Sequence, residues 1–569
     1  MTSRLNQHQS MNDMLKDLKD RVFEQKETDQ FCVELDGYPG SRSIVFLSAC
    51  NGITRAAVVK GIGNSLESAW KNAGDNLKHR IKELTLDPVW IKADLVHQVT
   101  TYGYAEFLDH VSSIKRNYFR EGIAFDSMFQ TAFLEQEVNG NNFLTEDPYT
   151  SKTQFLWKTI NYYLKKQGMK ASLEDSKMKK IFTFQTISYF HDGTQCWELY
   201  NDTLNQGRRR VTAQDPDLLL SIIRKSSLFL SRQVLPSGMF RYGYFPCFDK
   251  PIDTYNILRH ASSTYAMIEA YEITKDENLG LAIQSAIHFL ITEGIERLED
   301  LDGTRRAFVI ERSSDNEIKL GANAAAILAL VQYTKVFEDH NYLGLMEELA
   351  EGIAYFQNRQ EGSFVHVLQF PDLSLKDPKR TIYYDGEAAF ALLRLYGITR
   401  NERWLRIVIN AFEYFIREKY WNHKDHWLSY ASLELIPYRP ERKYVEFNLK
   451  NCSGILDFCL QRETTYPTLL ELLMATWKLV LMVREDEMLS DALEVFDEEK
   501  LMEAILHRAE HQLNGFFFPE VAMYFKAPAV ILDSFFIRHH AFRSRIDDNE
   551  HNISGYCSFY RHILRNQKP

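Results

Sequence analysis

Apolar residues change their period once along this chain. Between about Gln30 and Arg210 they come in short alternating runs, and beyond about Ala213 they recur at helical spacing. In the first stretch FCVELDGYPG and SRSIVFLSACNG end in Pro-Gly and Asn-Gly, which is hairpin punctuation. ITRAAVVKGIG predicts a third strand, and NSLESAWKNAGDNLKHRIKEL a helix behind an Asn or Ser cap. PVWIKADLVHQVTTY reads as another strand, YAEFLDHVSSI as another helix, and KIFTFQTISYFHDG with QCWELYN as a second hairpin. Residues 29–212 are therefore expected to form a mixed α+β domain, preceded by a polar, helix-prone leader over residues 1–28. Neither GxGxxG after a strand nor the GxxxxGKS/T pattern occurs there, so no nucleotide cradle is expected.

Residues 213–569 read as paired helices. MIEAYEITKDENLGLAIQSAIHFL, ALVQYTKVFEDHNYLGLMEELAEGIAYF and ALLRLYGITRNERWLRIVINAFEYF repeat one design. Each is an apolar helix ending in Tyr, a polar turn, and an amphipathic helix ending in an aromatic residue. The tyrosines, Tyr271, Tyr333 and Tyr396, stand 62 and 63 residues apart. Such a unit cannot bury its own apolar face and must stack on neighbours. Inner helices are predicted near residues 255–273, 320–336, 385–398, 426–436, 466–485 and 548–565. Six of them alternating with outer helices would close into a ring. The fold class expected is mainly α, a C-terminal (α/α)6 toroid behind the N-terminal α+β domain.

Closure would bring the ends of the inner helices together, and those ends carry the polar residues. The first opens with Tyr255, Asn256, Arg259 and His260, and the second with Asn323. The third opens with Tyr384, Asp385 and Glu387, the fourth with Asp425 and His426, the fifth with Thr465, Tyr466 and Glu471. The C-terminal segment supplies Arg538, His539, Arg543, Asp547, Asp548 and His551. Asp385 and Glu387 point about 200° apart on a helix and are not a mutual pair. Each is a candidate acid, base or nucleophile, or a cap and a first-turn dipole partner. Tyr255 and Arg259 share a face, and Arg259 suits a carboxylate clamp. His260 is a candidate acid or base, or a satisfied core histidine. His426 lies one turn before Tyr430, and Tyr430 one turn before Glu434, either a proton-handling set or an aromatic core stripe. Asp547 and His551 have ligand-capable i, i+4 spacing, but no metal and no cofactor is expected.

Composition narrows the class. The net charge of −10 argues against a nucleic-acid surface, and Arg208–Arg210 is the one dense basic run. Seven scattered cysteines without a CxxC suggest reduced thiols. The first twenty residues lack an apolar h-region, and no apolar run reaches membrane-spanning length. A cytoplasmic protein is expected. Aromatic content of 13% suits either a sugar-binding cleft or an aromatic-rich core.

The repeat, the GSF and GMF loops, DGEAAFALLRLY and YNILRHA resemble the (α/α)6-toroid carbohydrate-active proteins over residues 213–569. That group includes N-acyl-glucosamine 2-epimerases, glucuronyl C5-epimerases, unsaturated-uronyl hydrolases and several polysaccharide lyases. The resemblance implies a saccharide or anionic polymer bound in the funnel of the ring. Lanthionine cyclases and prenyltransferases share such a ring but use zinc through a Cys/Cys/His set that is not evident here. The first expectation is hydrolysis of an anionic saccharide, with Asp385 or Glu387 as acid or base. Arg259, Arg538, His539 and Arg543 would orient the substrate, with Tyr242, Tyr384 and Glu471 lining its site. The second is uronyl epimerisation or elimination, with Tyr255, His260, His426 or Tyr466 moving protons. From another class, the ring could be a non-catalytic binding or assembly module, its α+β domain meeting a partner protein.

Overall fold

The computed structural model describes residues 9–24, 28–35, 40–147, 153–169, 172–202, 204–299 and 303–565. Parts of the expected leader and residues 36–39 of FCVELDGYPG lie outside them. The chain divides into two compact units. The first holds Met1–Val211, Tyr244–Pro251 and Asn514–Ser544, and the second Thr212–Gly243, Ile252–Leu513 and Arg545–Pro569. The division at residue 211 falls beside the expected boundary at 212. The two returning segments differ from that expectation, since they join the first unit from within residues 213–569.

In the first unit an antiparallel sheet contains β1 (Ser43–Cys50), β2 (Ala57–Gly63), β3 (Trp90–Gly103), β4 (Gly122–Ala124), β5 (Ala132–Phe133), β6 (Lys180–His191) and β7 (Cys196–Glu198). Its order is β2-β1-β3-β6-β4-β5, with β7 paired to β6. The period of two puts Val45, Leu47 and Ala49 on one face and Ile44, Phe46 and Cys50 on the other. Both faces are covered, so β1 is buried throughout. Helices α1 (Met11–Phe23) and α2 (Leu66–Leu84) cover the first face. Ser65 caps α2, its side chain accepting from the Ser68 N–H. The polar leader thus docks one side of α1, with Met14, Leu15, Leu18 and Val22 buried.

The second unit is a closed ring. Its outer helices are α3 (Pro216–Gln233), α5 (Glu277–Phe289), α7 (Leu343–Phe356), α9 (Glu402–Arg417), α11 (Arg442–Ser453) and α13 (Glu498–Gln512). Its inner helices are α4 (Ile257–Thr274), α6 (Leu320–Phe337), α8 (Tyr384–Thr399), α10 (His426–Leu435), α12 (Thr468–Arg484) and α14 (Ile546–Phe559). Each inner helix packs on the next, and α14 packs back on α4. The inner helices are apolar around most of their circumference because they have ring neighbours on several sides. For that reason α6 is long and apolar enough to cross a membrane, yet 83% of that window is buried inside the protein.

Close approach of α8 and α10 depends on Gly386. A Cβ there would stand 2.7 Å from the Leu428 nitrogen and 2.8 Å from Asp425 Oδ2. Gly386→Ala is expected to cost about 1–3 kcal/mol through overpacking, read as a lower midpoint in urea unfolding. An unchanged midpoint would mean that the two backbones can part without loss.

Candidate active site

The N-terminal turn of α8 carries two carboxylates that the fold uses differently. Asp385 accepts a hydrogen bond from His366 Nε2 at 2.9 Å, and both side chains are buried. His366 Nδ1 accepts from the Arg380 and Thr381 N–H groups at 2.9 and 3.1 Å. Its second nitrogen therefore carries the proton, and a neutral imidazole ties the loop before α8 to the helix. Asp385 is not the N-cap, a position held by Tyr383. Asp385→Ala is expected to cost about 1–3 kcal/mol, since it strands a buried donor. Equilibrium unfolding measures this, and a variant as stable as the wild type would remove the pair from the account.

Glu387 turns instead toward the ends of neighbouring inner helices. A Cβ on Gly321 of α6 would sit 2.6 Å from Glu387 Oε2 and 2.5 Å from the Tyr384 ring, so glycine makes the room both occupy. Glu387 is buried, and its Oε1 has no hydrogen-bond partner within the described protein. Burial raises its carboxyl well above the usual range, Glu550 and Asp425 add to the rise, and Arg259 opposes it. Arg259 lies 3.4 Å from Asp547 Oδ2 and 3.9 Å from Glu550 Oε1. Arg545 reaches Asp547 at 2.7 Å and Asp548 at 3.3 Å. The Tyr242 hydroxyl, raised to about 12 by burial and then by Asp547, belongs to the same group.

Beside it runs a chain of proton-bearing groups from three inner helices. Tyr430 of α10 donates to Glu471 Oε2 of α12 at 3.2 Å. Glu471 Oε1 lies 2.7 Å from His551 Nδ1 of α14, and His551 Nε2 lies 3.4 Å from Glu550 Oε1. Ser262 and Ser263 of α4 donate to Glu550 Oε2 at 2.5 and 3.0 Å. Burial raises Glu471 to about 8 and lowers His551. Both shifts favour a neutral pair, with Glu471 donating to Nδ1 and the Nε2–H directed at Glu550. Glu550 is raised to about 7, by burial first and Asp547 next, against His551 and Arg259. Across from His551 stands His426, the ring centroids 5.3 Å apart and edge to face. His426 Nε2 is buried without a hydrogen-bond partner within the described protein. Burial also raises Asp425, beside His426 and capping α10.

His426, Glu471 and His551 could also offer a metal ion one ligand atom each, within 4.8 Å of one another. As they stand, the His551–Glu471 bond occupies two of the three groups.

Other sequence-predicted residues fall elsewhere. His260 Nε2 donates to the Ala286 carbonyl at 2.8 Å and Nδ1 accepts from Tyr255 at 2.7 Å. Burial lowers His260 to about 4. Both residues are engaged in joining α4 to α5, so neither stands as a free proton carrier. Arg538, His539 and Arg543 belong to the first unit. Arg538 lies 3.5 Å from Glu135, and burial lowers it to about 10, with Arg120 adding to the fall. His539 lines a cavity of about 570 Å³ with Arg116 and Asn117, and Arg543 pairs through its backbone with Ile537. Tyr466 is partly exposed, its hydroxyl 3.5 Å from that of Tyr383. Thus Arg259, Glu387, His426 and Glu471 gather with Tyr242 and Tyr384, and Asp385 serves the loop. Glu550, Ser262 and His366 were missed as site or support residues. Glu550 sits in a mixed charge run, and nothing in the sequence links Ser262 or His366 to a partner so distant.

A closed (α/α)6 ring with an acid–base cluster at the N-terminal ends of its inner helices is the class these observations define. No protein-family model and no curated protein matches the chain. Solved structures similar to it include a D-mannose isomerase at 12% identity, covering 62% of this chain and 99% of that chain with a TM-score of 0.47. A cellobiose 2-epimerase from Bacillus thermoamylovorans matches at 11% identity over 61% of this chain and 100% of its own, TM-score 0.46. An inactive α-1,6-mannanase variant from a Salegentibacter species, in complex with α-1,6-mannotriose, matches at 12% over 60% and 99%, TM-score 0.42. Likeness at this level carries no argument about activity.

Proposed function

We propose that the ring is a carbohydrate-tailoring enzyme that moves protons on a neutral saccharide, by epimerisation or isomerisation. The observation that supports this reading best is the chain Tyr430–Glu471–His551–Glu550 facing His426 Nε2. Stereochemical inversion at a carbon beside a carbonyl needs one group to take a proton and another to return it. Glu550, poised near neutrality, is suited to take it. His551 Nε2 lies beside Glu550, and Glu471, by donating to Nδ1, keeps the imidazole proton on Nε2. His426 is the opposing carrier. Tyr242, Tyr383, Tyr384 and Tyr466 offer flat faces for a sugar's C–H side, and the carboxyls accept from its hydroxyls.

A neutral substrate is favoured by charge. Arg259, the one of the four expected orienting residues that belongs to this unit, is already engaged by Asp547 and Glu550. An added carboxylate would meet several acids and little free positive charge. Hydrolysis, the first expectation from sequence, is the second reading here. What favours it is Glu387, a carboxyl that burial shifts toward the protonated form a general acid needs.

The test is incubation with neutral aldoses and disaccharides in D₂O, followed by proton NMR. Deuterium entering the sugar carbon skeleton supports proton transfer, and release of a new reducing end supports hydrolysis. Binding without either change would make the ring a saccharide-binding module and overturn the enzymatic reading.

A further inference from the structure

The opposite ends of the inner helices enclose a second cavity, of about 490 Å³. Lys335, Arg394, Lys478 and Arg561 line it, supplied by α6, α8, α12 and the turn after α14. Cations near helix C-termini are favoured by the helix dipole, which explains one or two of them but not their convergence. Arg394 is held 3.5 Å from Glu434 and donates to Gln332 at 2.6 Å. Arg561 donates to Glu272 at 2.8 Å. Those two acids are therefore spoken for. Glu269 also lines the cavity, and burial raises its carboxyl toward the neutral form. At the rim Lys275 and Glu338 offset each other.

Lys335 and Lys478 remain. Among the described residues neither has a hydrogen bond or an ion pair within reach. Desolvation lowers both ammonium groups and Arg394 lowers both further, while Glu434 opposes both falls, so the cations and this acid feel one another across the space. Four like charges from four helices, two without partners, form an arrangement that an oxyanion would neutralise.

We propose that this second cavity binds a small molecule bearing a phosphate or an equivalent doubly charged oxyanion, with Lys335 and Lys478 as its principal contacts. The site lies at the other end of the inner helices from the acid–base cluster and stands whether or not that cluster is catalytic. Tyr430 borders it and donates to Glu471, so a single side chain adjoins both sites.

Isothermal titration of the full chain with inorganic phosphate and, separately, with glycerol 1-phosphate tests this at constant ionic strength. Wild type is expected to bind at least one of them saturably in the micromolar to millimolar range. Lys478→Met keeps the aliphatic stem and removes the charge, and is expected to weaken binding by about tenfold to a hundredfold. Lys335→Met, at a position more exposed than Lys478, should weaken it in the same direction. Tighter binding of the ester assigns the site to a phosphorylated metabolite, and equal binding assigns it to the anion itself. No saturable binding by wild type, or affinity unchanged in both variants, would overturn the proposal.

Discussion

Turnover by the His551→Asn protein is expected to fall by about 10²–10⁴-fold on any saccharide that the wild type converts. Asparagine keeps a polar group near Glu471 but lacks the second ring nitrogen that stands beside Glu550. The fold should survive, because His551 contributes one side-chain hydrogen bond, to Glu471, rather than bulk to the ring; a melting temperature close to wild type checks this. The pH profile of the wild type supplies an independent readout. Glu550 acts as a base only when ionised, so activity rises as pH climbs through about 7. Glu471 donates to His551 Nδ1, and so keeps the imidazole proton on the Nε2 beside Glu550, only while it is protonated, so activity falls as pH passes about 8. The pair gives a narrow bell, whose limbs belong to the coupled cluster rather than to single residues. Near-normal kcat in the variant, or a flat profile from pH 6 to 9, would remove His551 from the chemistry.

Glu471→Gln is expected to make the protein more stable. In the unfolded chain a glutamate ionises near 4.5, and in the folded ring Glu471 keeps its proton to about 8. The folded state therefore binds the extra proton between those two values. Stability drawn against this one group declines as pH rises from about 4.5 and levels off beyond about 8. An amide has the shape and hydrogen-bonding capacity of the neutral acid. It accepts from Tyr430 and donates to His551 Nδ1, without the pull toward ionisation. Relative to wild type, the variant should gain roughly 3–5 kcal/mol above pH 8 and almost nothing at pH 4.5. Urea unfolding at both pH values measures the difference. A variant weaker than wild type at high pH would mean that Glu471 is ionised in the folded protein.

The inner helices were legible because a 3.6-residue period and a recurring Tyr-turn pattern mark them. Predicted spans such as 320–336 and 385–398 sit within one or two residues of Leu320–Phe337 and Tyr384–Thr399. Polar residues at helix starts were legible for the same reason, and Arg259, Glu387, His426 and Glu471 do gather. Periodicity says nothing about which distant group a side chain meets. Asp385 and Glu387 look alike in sequence, yet one faces His366 and the other faces Arg259 across the ring. Nor does it show that Asn514–Ser544, lying between two ring helices, leaves the ring for the other unit. Arg538 and Arg543 were expected in the substrate site because they lie close in sequence to Asp547, but their segment belongs to the first unit.

Contact between α14 and α4 has a consequence for synthesis on the ribosome. The two helices are separated by more than 270 residues of chain, so the seam between them is the last to form. Until then α4 and α12 each present an apolar flank with no neighbour, a period in which the nascent chain is open to aggregation or to chaperones. The helix that seals the seam also brings His551 and Glu550. An unfinished chain thus holds neither a sealed wall nor the contacts of Glu471 with His551 and of Ser262 with Glu550, and the two arrive together.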